Sequence, residues 1–237
     1  MSDAAERLCF ALDVPTADEA LVWVERLKGD VGFMKIGLEL FVGAGPGLVQ
    51  EVRARGARVF LDLKLHDIPH TVAEAAHRAV ALGVDLLTIH ASGGASMMQA
   101  AAAAVAGTNT RLLAVTVLTS LDAADLERAG VPSTTQEQVL RLTRLASESG
   151  VHGVVCSPFE AAAVRRVAPS LLIVTPGIRG PQDALGDQKR ALSAREAVAA
   201  GADVVVVGRP IRQAPDPCAV ARGVVDEIRA GLQERAR

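Results

Sequence analysis

Two aspartates and a lysine stand inside an otherwise apolar run, Phe60-Leu-Asp62-Leu-Lys64-Leu-His66-Asp67-Ile68-Pro69. Side chains alternate across a strand, so Asp62 and Lys64 share one face while Leu61, Leu63 and Leu65 share the other. The leucines are expected to face helices. That leaves a carboxylate and an ammonium pointing into a sheet interior where Val or Ile would be ordinary packing. Lys35 is a similar anomaly in the apolar stretch Phe33-Met-Lys35-Ile-Gly37, and a sequential barrel would set it beside Asp62. Asp67 falls in the turn before Pro69, which is expected at the first position of the next helix. The array reads Lys35, Asp62, Lys64, Asp67.

Alternating charges hold each other in the charged form, because each opposite neighbour favours ionisation. A protonated lysine placed this way is a proton donor. Aspartates beside it would repel a substrate carboxylate until it departs as neutral carbon dioxide, and a positioned ammonium would stabilise a developing carbanion. The pattern points to decarboxylation followed by protonation of carbon, with Lys64 as the principal residue. The bland alternative is an internal ion pair with no chemistry, which is disfavoured because such pairs are often no better than apolar packing.

A second set of residues suits an anion. Thr175-Pro-Gly-Ile-Arg179-Gly180 and Val207-Gly208-Arg209-Pro210 close two apolar runs. Arg179 and Arg209 carry fork-shaped donors that match phosphate oxygens, Gly208 allows close backbone approach, and Gln188 adds a further donor. A phosphorylated small molecule is implied.

The elements that must position these groups are legible as alternation. Short runs rich in Val, Ile and Leu alternate with longer amphipathic, alanine-rich runs, the pattern of repeated βα units. Eight strands are predicted: Leu8–Asp13, Val31–Gly37, Arg58–Lys64, Asp85–His90, Arg111–Val117, Gly153–Cys156, Leu171–Thr175 and Asp203–Val207. Thr16-x-x-Glu19, Thr134-x-x-Glu137 and Ser193-x-x-Glu196 read as capping boxes at helix starts. The predicted fold is a single α/β domain over residues 1–237, a (β/α)8 TIM barrel. Two connections are long, Leu118–Thr135 and Gly177–Leu192. They follow strands five and seven, on the face where barrel active sites are built, and are read as substrate-covering loops.

Composition narrows the rest. The 237 residues carry a formal net charge of -2, so no overall field draws in nucleic acid or anionic lipid, and an anionic ligand needs a local cluster. Aromatics make up 3% and tyrosine is absent, which argues against base-stacking platforms and a nucleic-acid partner. Cys9, Cys156 and Cys218 are too scattered for a disulfide framework or a zinc site. The start, MSDAAERLCFALDV, reads as lacking a signal-peptide core, and no run is long enough to span a membrane. A cytoplasmic setting is expected. His90 is read as a hydrogen-bonded structural residue, Cys9 and Cys156 as small core residues, and Trp23 as packing.

The stretch Asp62-Leu-Lys64-Leu-His66-Asp67-Ile68-Pro69-His-Thr71 resembles the signature of the orotidine 5'-phosphate decarboxylase family. Supporting matches are Ala11-Leu-Asp13, Lys35-Ile-Gly37, Leu86-Leu-Thr-Ile-His90-Ala-Ser-Gly-Gly94, Val115-Thr-Val-Leu-Thr119-Ser120, Thr175-Pro-Gly-Ile-Arg179 and Val207-Gly208-Arg209-Pro210. The likeness covers almost the whole chain and is nearest the bacterial branch. It implies conversion of orotidine 5'-monophosphate to UMP and carbon dioxide, the last step of de novo UMP synthesis, without metal or organic cofactor. By the same resemblance Lys64 protonates C6, Asp62 lies near the departing carboxylate, and Lys35 and Asp13 bind ribose and order the charges. Thr119 or Ser120 contacts the pyrimidine, and Arg179, Gln188, Gly208 and Arg209 bind phosphate. The resemblance also implies a homodimer in which Asp67, Ile68 and Thr71 reach into the partner's site.

Two other readings compete. Magnesium-dependent sugar-phosphate decarboxylases and aldolases of the same superfamily are similar at Asp62, Lys64 and Asp67, but they place an acidic residue where this chain has Lys35. A non-catalytic barrel that senses nucleotide phosphates would bind UMP without turning over the orotidine substrate.

Overall fold

A computed structural model describes residues 3–178 and 192–236. Eight parallel strands close on themselves in sequence order: β1 (Leu8–Ala11), β2 (Phe33–Gly37), β3 (Val59–Leu65), β4 (Leu86–His90), β5 (Arg111–Val115), β6 (Gly153–Val155), β7 (Leu172–Thr175) and β8 (Val204–Val207), with β8 pairing back to β1. A helix follows every strand, so the predicted (β/α)8 barrel is the observed fold. All eight strands lie within the predicted runs or one residue beyond them. β1 and β5 end two residues early, although Leu12 N still donates to Lys35 O and Thr116 N to Val155 O. The chain then turns away, which carries Asp13 onto the rim.

Two apolar layers follow from the period-2 alternation. Residues such as Leu61, Leu87, Ile173 and Val205 point outward and pack beneath the helices. Cys9, Phe33, Phe60, Leu86, Leu113, Val174 and Val206 fill the barrel interior. The interior leaves no slack at β6. A Cβ on Gly153 would lie 2.4 Å from Leu172 O and 2.8 Å from Leu113 Cδ2, so only glycine lets β7 close against it. Trp23 packs against Phe10, with ring centroids 5.4 Å apart.

The helix starts match the capping chemistry with two refinements. Thr134/Glu137 and Ser193/Glu196 form reciprocal capping boxes, whereas Thr16 only accepts from Glu19 N. A further box, Asp122/Asp125, starts a short helix at Ala123–Arg128. The segment read as a loop at Leu118–Thr135 is therefore partly helical. Of the second long connection, Ile178 and Leu192 bridge each other at its two ends, and residues 179–191 lie outside the described residues.

The N-terminal end of the barrel is tied by one carboxylate. Asp203 accepts from Ile173 N at 2.9 Å, pairs with Arg165, and lies 3.2 Å from Arg235 and 3.9 Å from Arg7. Arg165 also donates to the carbonyls of Pro169, Leu171 and Gly201. Replacing Asp203 by alanine strands three guanidinium groups and a buried amide, so unfolding free energy should fall by roughly 1.5–3 kcal/mol. Denaturant titration measures this, and an unchanged midpoint would contradict the assignment.

Candidate active site

The strands deliver their charged residues to one end of the barrel. Lys35 is in register with Phe60, and Gly37 with Asp62, so the β2 and β3 charges meet one level above the apolar interior. Lys64 Nζ donates to Asp62 Oδ2 at 2.8 Å, Lys35 Nζ lies 3.6 Å from the same oxygen, and Lys35 Nζ donates to Asp13 Oδ1 at 3.3 Å. Side-chain exposure is 12% for Lys35, 13% for Asp62, 29% for Lys64 and 51% for Asp13. The array is continuous, but its order is Asp13, Lys35, Asp62, Lys64. Asp67 does not extend it within one chain; it is exposed and accepts from Ile68 N. Gly37 makes room for the array, since a Cβ there would sit 3.2 Å from Lys35 Nζ.

Burial and pairing compete at Asp62 and Lys35, and pairing wins. Burial acts to raise the Asp62 carboxyl, but the charges of Lys35 and Lys64, with hydrogen bonds from Lys64 and Thr88, hold it below its ordinary value. Burial acts to lower the Lys35 ammonium, but Asp62 and Asp13 hold it above its ordinary value. Both groups are therefore charged at neutral pH.

The pleat alone does not place Lys64. Its φ is 51°, and the β3–β4 register shifts between Leu61 and Leu65. A bulge therefore turns the ammonium back over Asp62.

A cavity of about 520 Å³ opens above these residues, within the size range of small-molecule sites. One wall is charged, made by Asp13, Lys35, Asp62 and Lys64. The opposite wall and floor are apolar, with Phe60, Val115, Val155 and Val206. Thr119, Gly208, Arg209 and Arg212 also line it. Ser120 is exposed and outside the lining, as are Ile68 and Thr71. Arg179 and Gln188 lie outside the described residues.

Several residues escaped the sequence reading. Arg212 lines the cavity, and its Nε is buried without a hydrogen-bond partner among the described residues; its spacing from Arg209 along one helical turn was the available signal. Cys156, read as core, borders the cavity as well as being buried. His90 is half-buried against the ring of His66, centroids 5.4 Å apart, and its ring makes no hydrogen bond among the described residues. Burial, then His66 and Lys64, hold it below the ordinary histidine value. Among the described residues, no group of three His, Cys, Asp or Glu side chains is placed to hold a metal ion, and no helix is long and apolar enough to cross a membrane.

The arrangement is an ammonium held by a shared carboxylate on the wall of a cavity whose lining also holds apolar side chains and the arginines Arg209 and Arg212. A sequence model of the orotidine 5'-phosphate decarboxylase / HUMPS family matches residues 6–224. Orotidine 5'-phosphate decarboxylase of Anaeromyxobacter sp. (strain K) is 53% identical over 221 residues, covering 93% of this chain and 97% of that protein. The Trichlorobacter lovleyi protein of the same name is 48% identical over 237 residues, with 98% of each chain covered. Among solved structures, orotidine 5'-phosphate decarboxylase from Lactobacillus acidophilus superposes with a TM-score of 0.81 at 35% identity, over 93% of this chain and 98% of that one. That of Pyrococcus horikoshii OT3 gives 0.76 at 26% identity, over 94% and 99%. With matches of this extent and identity, the chain belongs to the orotidine 5'-phosphate decarboxylase / HUMPS family.

Proposed function

We propose that this chain converts orotidine 5'-monophosphate to UMP and carbon dioxide, completing UMP synthesis, without a metal or organic cofactor. The observation that carries the reading is the Lys64 ammonium, held 2.8 Å from Asp62 at the wall of the cavity, with Arg209 among the lining residues. In this reading the C6–carboxylate bond breaks, its electron pair remains on C6, and carbon dioxide leaves. Lys64 Nζ stabilises the developing carbanion and then gives it a proton, which solvent replaces. Asp62 stands beside the departing carboxylate, and Lys35 with Asp13 meets the ribose. Thr119, or Ser120 after movement of its loop, contacts the base. Gly208 and Arg209 hold the phosphate together with Arg179 and Gln188 from the segment that follows β7.

The same reading includes a homodimer. Asp67, Ile68 and Thr71 are exposed and sit outside their own chain's cavity. An exposed aspartate and isoleucine beside a cavity they do not line suit a residue set donated to a second copy.

The reaction offers no electron sink, so the required stabilisation is near the top of the range of about 8–23 kcal/mol. Remote phosphate binding then has a role. It uses contacts far from C6 to close and dry the charged wall.

The magnesium-dependent alternative is disfavoured by Lys35, a cation where such enzymes place an acid. Exhaustive chelation should leave turnover unchanged, whereas a loss that magnesium restores would favour that alternative.

The absorbance loss of orotidine 5'-monophosphate tests the main reading. Lys64→Ala should lower turnover by roughly 10²–10⁴-fold or more, as expected for removal of a proton donor. Near-native turnover in that variant would contradict the mechanism.

The pKa directions fix the pH response. The depressed Asp62 carboxyl contributes stability and charge that are lost as pH falls below its ordinary value of 3.8. The raised Lys35 ammonium contributes below its ordinary value of 10.5 and fails as pH climbs above it. At saturating substrate, kcat should therefore be flat from about pH 5 to 9. A steep limb below pH 6.5 would instead implicate a histidine held under its ordinary value, such as His90.

A further inference from the structure

Lys64 is the only residue other than glycine with a positive φ among the described residues. A lysine in that region carries strain on the order of 1–3 kcal/mol, so its surroundings must hold it there. The ordinary ladder does not, because Leu61 pairs with Leu87 and Leu65 with Ile89, four steps along β3 against two along β4. One side chain occupies the gap. Thr88, wholly buried in β4, accepts from Lys64 N at 2.9 Å, and its hydroxyl donates to Asp62 Oδ1 at 3.0 Å. The remaining Asp62 oxygen then faces the two ammonium groups, at 2.8 Å from Lys64 and 3.6 Å from Lys35.

We infer that Thr88 is a positioning residue for proton delivery: one hydroxyl fixes both the strained backbone of Lys64 and the rotation of the carboxylate that holds its ammonium. This rests on the decarboxylase reading and deepens it. A hydroxyl is required because the same oxygen must accept from an N–H and donate to a carboxylate. Serine can do both, and valine, of nearly the same shape, can do neither. Without the hydroxyl, Asp62 can rotate, the bulge loses its anchor, and the ammonium drifts from the point where C6 must be protonated. Ground-state binding of a phosphate and ribose held by other residues is not affected.

The test compares native protein, Thr88→Val and Thr88→Ser by kcat on orotidine 5'-monophosphate and by Kd for UMP, measured calorimetrically. Displacement of a catalytic group by about 1 Å costs on the order of 10²-fold, so Thr88→Val should lose about 10–10²-fold in kcat. Its Kd for UMP should stay within about threefold of native, and Thr88→Ser should recover most of the lost kcat because both hydrogen bonds are retained. Native kcat in Thr88→Val would overturn the inference. So would parallel loss of UMP binding, or a serine variant as impaired as the valine one, since either marks a general structural role. If the native chain itself binds UMP but leaves orotidine 5'-monophosphate unchanged, the decarboxylase reading falls and takes this inference with it. Failure of the valine or serine arms alone leaves that reading standing.

Discussion

The Asp62 carboxylate, shared between the ammonium groups of Lys64 and Lys35, is the interaction on which the rest of the site depends. A carboxylate at that depth is costly by itself, and so is either lysine. Together with Asp13 they form two positive and two negative charges that sum to zero. Asp62 and Lys35 are kept ionised by their neighbours, attraction overcoming burial at both. In the proposed function, a substrate carboxylate brought against such a set would meet Asp62, while charge developing on an adjacent carbon would meet Lys64. The asymmetry favours the state after carbon dioxide has formed.

The barrel makes this geometry possible by separating duties along its axis. The interior beneath the charges is packed with apolar side chains, to the point that Gly153 has no room for a Cβ. Asp203 gathers arginines and a backbone amide at the opposite end, where the fold is tied and no substrate group is required. Rigid strands therefore carry Lys35, Asp62 and Thr88. Residues just beyond the strand ends, Asp13, Thr119, Gly208 and Arg209, complete the lining of the cavity.

Most of the fold and about half of the site were legible in the sequence, for identifiable reasons. Period-2 alternation located Asp62, Lys64 and Lys35, because a charge on an inward face conflicts with every neighbouring residue. The same rule reaches only as far as the strand. It placed Asp67 in series with Lys64, whereas the turn carries it outward and Asp13, two residues past the end of β1, takes the fourth place. The bulge at Lys64 leaves no mark in residue type, since nothing about a lysine announces a positive φ. Thr88 was readable in principle, being in phase with Leu86 on the inner face of β4, but a threonine among apolar residues is too ordinary a strand residue to stand out. The helix at Ala123–Arg128 was missed because its capping box uses aspartate at the third position rather than glutamate.

We propose that Asp62 and Lys64 act as one unit rather than as two independent contributors. A double-mutant cycle measures this directly, from kcat for Asp62→Asn, Lys64→Ala and the pair together. Groups that act as a unit are strongly non-additive, so the double variant should lose little more than the worse single variant. Losses that multiply in full would show two separate contributions and contradict a shared role for Asp62 and Lys64.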